Sequence, residues 1–188
     1  RAIRRLAMAH DASHFLHTPA EVVTPGTAED VATLMREAGR RRKPMTFRSG
    51  GTSLCGQGVT DSTLVDTRSN FRTLEVLDDG ERVRVGVGVT LAAVNARLAR
   101  YGRRLGPDPT SAIACTIGGI LANNSSGMLS GIEQGSYHTV ESMVFVLPSG
   151  RFIDTADPSA DITLRLDEPE LSGGLLMLRK RLRTNPDA

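Results

Sequence analysis

The sequence predicts an α+β fold of two lobes, and three observations carry that reading. Predicted elements run β-α-β-β-β-β-α, then a loop-rich stretch, then β-β-α, which is not the regular alternation of a doubly wound parallel sheet. The chain has 188 residues, enough for one large domain or two small lobes. Each half also carries one glycine-rich segment, near position 50 and near position 120.

The elements follow in order. Residues 2–9 suit a short helix, and Glu21-Val22-Val23 reads as a strand entering a Thr24-Pro25-Gly26 turn. Thr27 is a good N-cap with Asp30 three residues on, and Ala28, Val31, Leu34, Met35 and Ala38 recur at helical spacing, with Gly39 as the stop. Strands are expected over 44–48 and 64–66, and a β-pair over 71–77 and 82–89 turns at Asp78-Asp79-Gly80. Val83, Val85, Val87 and Val89 alternate, so one face of that strand is apolar. Thr90 caps a helix bearing Leu91, Val94, Leu98 and Tyr101, and residues 116–122 suit a short helix. Val140 to Leu147 reads as a strand turning at Pro148-Ser149-Gly150 into a partner over 151–155. Thr155 to Pro169 reads as loop, and Leu171, Leu175, Leu178 and Leu182 mark a final amphipathic helix.

Composition narrows the function classes. The chain is 39% hydrophobic and 23% charged, an ordinary globular balance. No apolar run has the length of a membrane span, and no signal-peptide pattern follows Arg1. Beginning on Arg, the chain reads as a piece of a longer protein. Cys55 and Cys115 stand far apart and form no C-x-x-C pair, which argues against a disulfide framework, a zinc ribbon or a cluster held within the chain. Net charge is +2, and the basic groups Arg40 to Lys43, Arg100 with Arg103 and Arg104, and Arg179 to Arg183 each sit at a predicted helix end. Cations there complement the helix dipole. With 4% aromatics and no Trp, stacking platforms for single strands are scarce, and nucleic acid is not expected as a partner.

Arg48-Ser49-Gly50-Gly51-Thr52-Ser53-Leu54-Cys55-Gly56-Gln57 directly follows an apolar strand. Adjacent glycines let the backbone turn sharply and come close to a ligand. Their N–H groups and the hydroxyls of Ser49, Thr52 and Ser53 can converge on one anion, as in a phosphate-binding nest. Read alone, the stretch is also an ordinary surface turn. The second segment is more unusual. Gly106-Pro107-Asp108-Pro109 is followed by Thr116-Ile117-Gly118-Gly119-Ile120-Leu121-Ala122-Asn123-Asn124-Ser125-Ser126-Gly127. The prolines stiffen the approach, the Gly pair permits a close backbone, and a helix beginning near Thr116 offers N–H donors. Such a site suits a ligand with both anionic and amide-like edges, and a flavin dinucleotide has both.

These strings, with V-F-V-L-P-S-G after them, occur in an order and spacing that resembles the PCMH-type FAD-binding domain of the vanillyl-alcohol oxidase superfamily. The similarity covers roughly residues 20–157 and is greatest to the branch of D-lactate dehydrogenases and glycolate oxidase flavin chains. The strings S-Y-H-T-V-x-S-M and D-T-A-D are similar to those of large bacterial members that carry an Fe–S oxidoreductase module. The resemblance implies a two-lobed PCMH-type fold of mixed sheets with flanking helices, and FAD held between the lobes. It divides the chain into an N-terminal segment 1–19, an FAD-binding domain 20–157 with lobes of about 20–68 and 69–157, and a C-terminal loop and helix 158–188 leading to a cap domain.

By resemblance, the pyrophosphate falls to Ser49, Gly50, Gly51, Thr52, Ser53 and Gln57. Pro107, Pro109, Thr116, Ile117, Gly118 and Gly119 line the ribityl and flavin region. Asn123, Asn124, Ser126 and Gly127 complete the cradle, and Val140 contributes backbone on the adenine side or the ring side. The family reaction is hydride transfer from a 2-hydroxy acid to FAD, giving the keto acid. The substrate groups lie mainly in the cap domain, so no catalytic residue is assigned within this chain, and weak or no turnover is expected of it alone. Expected partners are a hydroxy acid, the cap domain, an Fe–S module or subunit, and an acceptor such as a quinone or cytochrome. The expected location is cytoplasmic, or peripheral at the inner face of the membrane.

Two departures from the family pattern stand out. Where relatives have an aromatic-glycine pair, this chain has Ile132-Glu133-Gln134-Gly135-Ser136-Tyr137. Where some relatives attach FAD covalently through His, this chain has Thr52, so noncovalent FAD is expected. Rival readings are a flavoreductase of the UDP-N-acetylenolpyruvoylglucosamine reductase type and a non-catalytic module that has lost FAD. A Rossmann unit fits poorly, because after Gly86-Val87-Gly88 the third glycine position holds Leu91, and no G-K-[ST] marks a P-loop.

Other residues keep plainer readings. His10, His14 and His17 could put two side chains on one helix face, but read as surface residues without a metal. Arg48 can pair with a pyrophosphate or with Asp61 or Asp66, and His138 can approach the flavin or sit at an edge. Cys115 reads as a small buried thiol, and Met128 and Met143 as packing residues.

Overall fold

A computed structural model describes residues 2–185; Arg1 and residues 186–188, the ends on which the reading of the chain as a piece rests, lie outside the described residues. In chain order the elements are α1 (Ala2–Ala7), β1 (Glu21–Val23), α2 (Ala28–Arg41), β2 (Met45–Arg48), β3 (Thr63–Asp66), β4 (Leu74–Leu77), β5 (Arg82–Val85) and α3 (Leu91–Leu98). They continue as α4 (Ile117–Ala122), α5 (Ser136–Thr139), β6 (Val144–Val146), β7 (Phe152–Asp154), α6 (Ala160–Asp167) and α7 (Pro169–Thr184). The class is α+β, with helices set around three small sheets.

The first sheet is parallel, ordered β1-β3-β2, with Val22 opposite Leu64 and Thr46 opposite Leu64 on the other side. All four residues of β3 are buried, as a central parallel strand requires. The crossover helix α2 opens with a full capping box. The Asp30 N–H donates to the Thr27 hydroxyl, and the Thr27 N–H donates back to the Asp30 carboxylate. Gly39 does not end α2. The helix continues through Arg40 and Arg41, which pair with Glu37, and Arg42 closes it with φ 48°.

β4 and β5 form an antiparallel hairpin through Asp78-Asp79-Gly80, whose φ values are all positive. β5 stops at Val85, short of the expected 89, and the valine alternation breaks with it: Val87 is exposed while Val89 is buried. Beyond it the chain crosses closely over residues 67–71, since a Cβ on Gly88 would lie 2.6 Å from the Thr67 carbonyl oxygen. Val89, Leu91, Val94, Leu98, Cys115, Ile117 and Ile120 form the main buried cluster, flanked by apolar residues of β4 and β5.

Three other expectations change. The strand expected over 140–147 forms only over Val144–Val146, with flanking bonds from the Thr155 N–H to Met143 O and from the Leu147 N–H to Arg151 O, while Val140 closes α5. The stretch from Thr155 to Pro169 contains α6. Its Asp157-Pro158-Ser159 is a helix entry, where the Asp157 carboxylate accepts both the N–H and the hydroxyl of Ser159. Finally, Leu171, Leu175, Leu178 and Leu182 lie on α7 as expected, but the helix packs on α6 and leaves all four exposed. Among the described residues no helix is long and apolar enough to cross a membrane.

Candidate functional site

The first glycine segment leaves β2 at Arg48 and reaches β3 at Thr63 as an irregular loop. Gly51 holds φ +66°, the left-handed backbone that reverses the chain, and a side chain there would also strike the Arg48 guanidinium. The N–H groups of Gly50, Gly51, Thr52 and Ser53 meet no acceptor among the described residues. Consecutive free N–H donors around a left-handed residue make an anion-binding concavity. The Ser49 hydroxyl is buried and without a hydrogen-bond partner among the described residues. Ser53 is different. Its hydroxyl donates to Gln57 Oε1 at 2.9 Å and accepts the N–H groups of Cys55 and Gln57, so Ser53 and Gln57 are engaged with each other.

The second segment lies alongside residues 87–92. Leu91 N donates to Cys115 O, Ile117 N to Val89 O, and Gly118 N to Val87 O. Two first-turn donors of α4 are therefore taken by the backbone, and the set of free donors expected there shrinks to the Thr116 and Gly119 N–H groups among the described residues. Thr116 is 1% exposed and its hydroxyl, like that of Ser49, is a buried group without a partner among the described residues. Such orphans are rare in folded proteins, and each calls for an explanation. Gly119 has open space on its side-chain face, where a Cβ would meet nothing closer than Thr116 Oγ1 at 3.9 Å.

The two segments touch. A Cβ on Gly50 would lie 2.4 Å from the carbonyl oxygen of Ala114 and 3.2 Å from the Cα of Cys115. The proline turn joins them: a Cβ on Gly127 would lie 1.6 Å from Asp108 O. Pro107 is buried and Pro109 half-buried beside it. Asn123 and Asn124 have local duties. Asn123 Nδ2 donates to Gly119 O at the end of α4, and Asn124, with φ 47°, accepts the Tyr137 N–H. Ser126 is exposed, and Val140 ends α5 with its N–H on Ser136 O.

Sequence reasoning left the surroundings of Arg48 open and missed Asp11. The Arg48 guanidinium donates to Met8 O and His10 O, at 3.1 and 2.7 Å, and is flanked by the charges of Asp11 and Asp66, not Asp61. Burial pulls its pKa down, against the pull of those two carboxylates. Asp11 is 8% exposed and accepts the N–H groups of Ser13 and Gly58. Burial pushes its carboxyl up, but hydrogen bonds from Ser13 and Gly58 and the Arg48 charge outweigh that and hold it below the usual carboxylate range. The signal was the Asp-x-Ser turn at 11–13, which reads as nothing until the loop folds over it.

The remaining residues stand apart. His10, His14 and His17 lie in a non-helical segment and share no helix face. His138 is exposed, Met128 is fully exposed and not a packing residue, and Cys55 is exposed. Cys115 is buried, and its burial raises the thiol pKa. A hollow of about 570 Å³ lies elsewhere, between Arg36, Gly150 and Asp167. It is shallow, with Arg151 paired to Asp167 and Arg36 hydrogen-bonded to Thr33, and the two glycine segments take no part in it.

Residues 19–156 match the family described as FAD binding domain. The D-lactate dehydrogenase of Archaeoglobus fulgidus is 33% identical over 135 residues, which is 71% of this chain and 30% of that protein. The D-2-hydroxyglutarate dehydrogenase of Haemophilus influenzae is 29% identical over 173 residues, 89% of this chain and 17% of that protein. The chain thus spans less than a third of the length of these relatives. In fold, it superposes on 6-hydroxy-D-nicotine oxidase from Arthrobacter nicotinovorans with a TM-score of 0.71 at 22% identity, covering 83% of this chain and 34% of that one. With the family match over most of its length, the chain belongs to the FAD binding domain family.

Proposed function

We propose that this chain holds FAD noncovalently as the flavin-binding part of a 2-hydroxy acid dehydrogenase of the D-lactate or glycolate type. The observation that carries the reading is the pair of buried, unpartnered hydroxyls, Ser49 and Thr116, on two segments in contact through Gly50. A buried hydroxyl left without a partner costs about 1–3 kcal/mol, so two of them on adjoining walls suit a bound polar group. The residues present fit FAD: free N–H donors in one wall for an anion, and an open backbone face at Gly119 in the other.

The Gly50 to Ser53 N–H groups and the Ser49 and Thr52 hydroxyls bind the pyrophosphate. Ser53 and Gln57 hold the loop's shape through their mutual hydrogen bonds, leaving the Gln57 amide nitrogen for the ligand. Thr116, Ile117, Gly118 and Gly119 line the flavin side, with Pro107 and Pro109 rigidifying it. Asn123 and Asn124 support α4 and α5, and Ser126, Gly127 and Val140 close the rim. Thr52 offers no nucleophilic nitrogen, which supports noncovalent attachment. When bound, FAD supplies the hydride acceptor; the work of these residues is to fix its position and exclude water around it.

On this reading the flavin domain runs over 20–157 in two lobes, and the hydroxy acid is recognised mainly by a cap domain elsewhere in the polypeptide. Its partners on this reading would be an Fe–S module or subunit and an acceptor such as a quinone or cytochrome. The test is anaerobic titration of the purified full-length protein with D-lactate, glycolate and D-2-hydroxyglutarate, following flavin absorbance. Bleaching by one of the three supports the proposal. A yellow protein that none of them bleaches overturns the substrate class, and a colourless protein that ignores added FAD overturns the cofactor. Acid precipitation should release all flavin to the supernatant, and yellow pellets would refute noncovalent binding.

A further inference from the structure

The first glycine loop has no helix or strand of its own between Arg48 and Thr63, yet its shape decides whether its N–H groups can share one anion. We propose that residues 8–15, which precede the family match, belong to the cofactor site, and that Asp11 is the positioning residue that holds this loop in its anion-receiving form. The proposal rests on the FAD reading above.

Asp11 grips the loop at its far end, at Gly58. Its Oδ2 accepts the Gly58 N–H at 3.1 Å, while its Oδ1 accepts the Ser13 N–H at 2.9 Å and so folds the segment into the turn that presents it. The next residue, Ala12, donates its N–H to Gly51 O at 3.0 Å, at the left-handed position itself. The Met8 and His10 carbonyls take the Arg48 guanidinium, which lies against Gly51: a Cβ there would be 2.6 Å from it. Phe15 covers Gly56 in the same way, 2.5 Å from where a Cβ would be. On the other side, Gly50 rests on Ala114 and Cys115. The loop is therefore held between the second glycine segment and this strap.

Charge explains why Arg48 sits where it does. A buried carboxylate next to an anion site would repel the anion, so a cation must accompany it. Arg48 compensates Asp11 locally, and the N–H donors of Gly50 to Ser53 are left to face the ligand. The strap thus acts on the loop's shape and not on the flavin ring. Its loss should weaken a ligand that has a pyrophosphate and spare one that lacks it.

The test uses the deflavinated full-length protein, titrated with FAD and with riboflavin by flavin fluorescence, and Asp11→Asn, which preserves size and one acceptor. The expected result is FAD binding weakened about tenfold, the scale of one charge-assisted hydrogen bond, with riboflavin binding unchanged. Amide exchange should quicken at Ala12 and Gly58, whose N–H groups tie the strap to the loop, and stay as it was in α3. Unchanged FAD affinity overturns the proposal, as does an equal loss for both ligands with faster exchange throughout, which would make Asp11 merely structural. Phe15→Ala removes a ring that is 46% exposed, and serves if Asp11→Asn does not fold; it must also weaken FAD more than riboflavin. A wild-type protein that binds no flavin sinks the cofactor reading instead, and that result is seen before any variant is compared.

Discussion

Gly50 lies against Ala114 so closely that a side-chain carbon at position 50 would fall 2.4 Å from the Ala114 carbonyl oxygen. Neither residue is near the other in sequence, and both belong to backbone that cannot swing aside like the end of a side chain. Their contact turns two separate glycine-rich segments into adjoining walls.

Gly50→Ala should therefore force the walls apart. Relief of a backbone clash of this kind typically costs about 1–3 kcal/mol, so the melting temperature of the apo protein should fall and FAD affinity with it. Gly119→Ala is the contrast. A Cβ there has room, with Thr116 Oγ1 at 3.9 Å, and helix propensity favours Ala by about 1 kcal/mol. Apo stability should hold or rise while FAD binding weakens. Thermal melts with and without FAD separate the two, and parallel losses in both variants would count against the contact.

Removing an orphan hydroxyl should split apo and bound states in opposite senses. Ser49→Ala and Thr116→Val each delete a buried group that has no hydrogen-bond partner among the described residues. Without ligand, each variant should be as stable as the parent or more so by up to about 1 kcal/mol. With FAD, each should lose the stabilisation of its missing hydrogen bond. The check is the FAD-dependent shift in melting temperature, and an undiminished shift would remove these hydroxyls from the site.

Acid should loosen the strap before it unfolds the sheets. Asp11 has a folded pKa below the ordinary carboxylate value, so it contributes stability that is fully present above the unfolded value of about 3.9 and is lost as pH falls through the lower folded value. Glu21, lowered by Lys43 and Thr63, adds to the same limb with the same sign. Melting temperatures between neutral pH and about pH 3 should fall along this limb, more shallowly in Asp11→Asn. An identical acid limb in that variant would show that Asp11 is not among the groups responsible.

Thr27→Ala tests a feature with no bearing on the flavin. It removes one half of the capping box at α2, where Asp30 N donates to the Thr27 hydroxyl. Chemical denaturation should show a loss of about 1 kcal/mol, with FAD affinity unchanged. A change in affinity would mean that α2 reaches the site in a way the contacts do not reveal.

Short-range chemistry was readable from the chain itself. Thr27 with Asp30 and the Asp78-Asp79-Gly80 turn each mark an element through neighbours within a few residues, and the two glycine segments announced a close backbone approach; the valine repeat marked β5 only as far as Val85. Failures arose where a local pattern had two outcomes. Gly39 could stop a helix or ride inside one, and Asp157-Pro158-Ser159 could break the chain or begin α6. What only tertiary structure decided was which polar groups remained free. Ser53 and Gln57 satisfy each other, Ile117 and Gly118 are held by Val89 and Val87, and Ser49 and Thr116 are left buried and unanswered among the described residues. Hydrogen-bonding capacity is a property of residue type, and so is written in sequence; its satisfaction depends on which distant backbone arrives within about 3 Å, and so is settled by the fold alone.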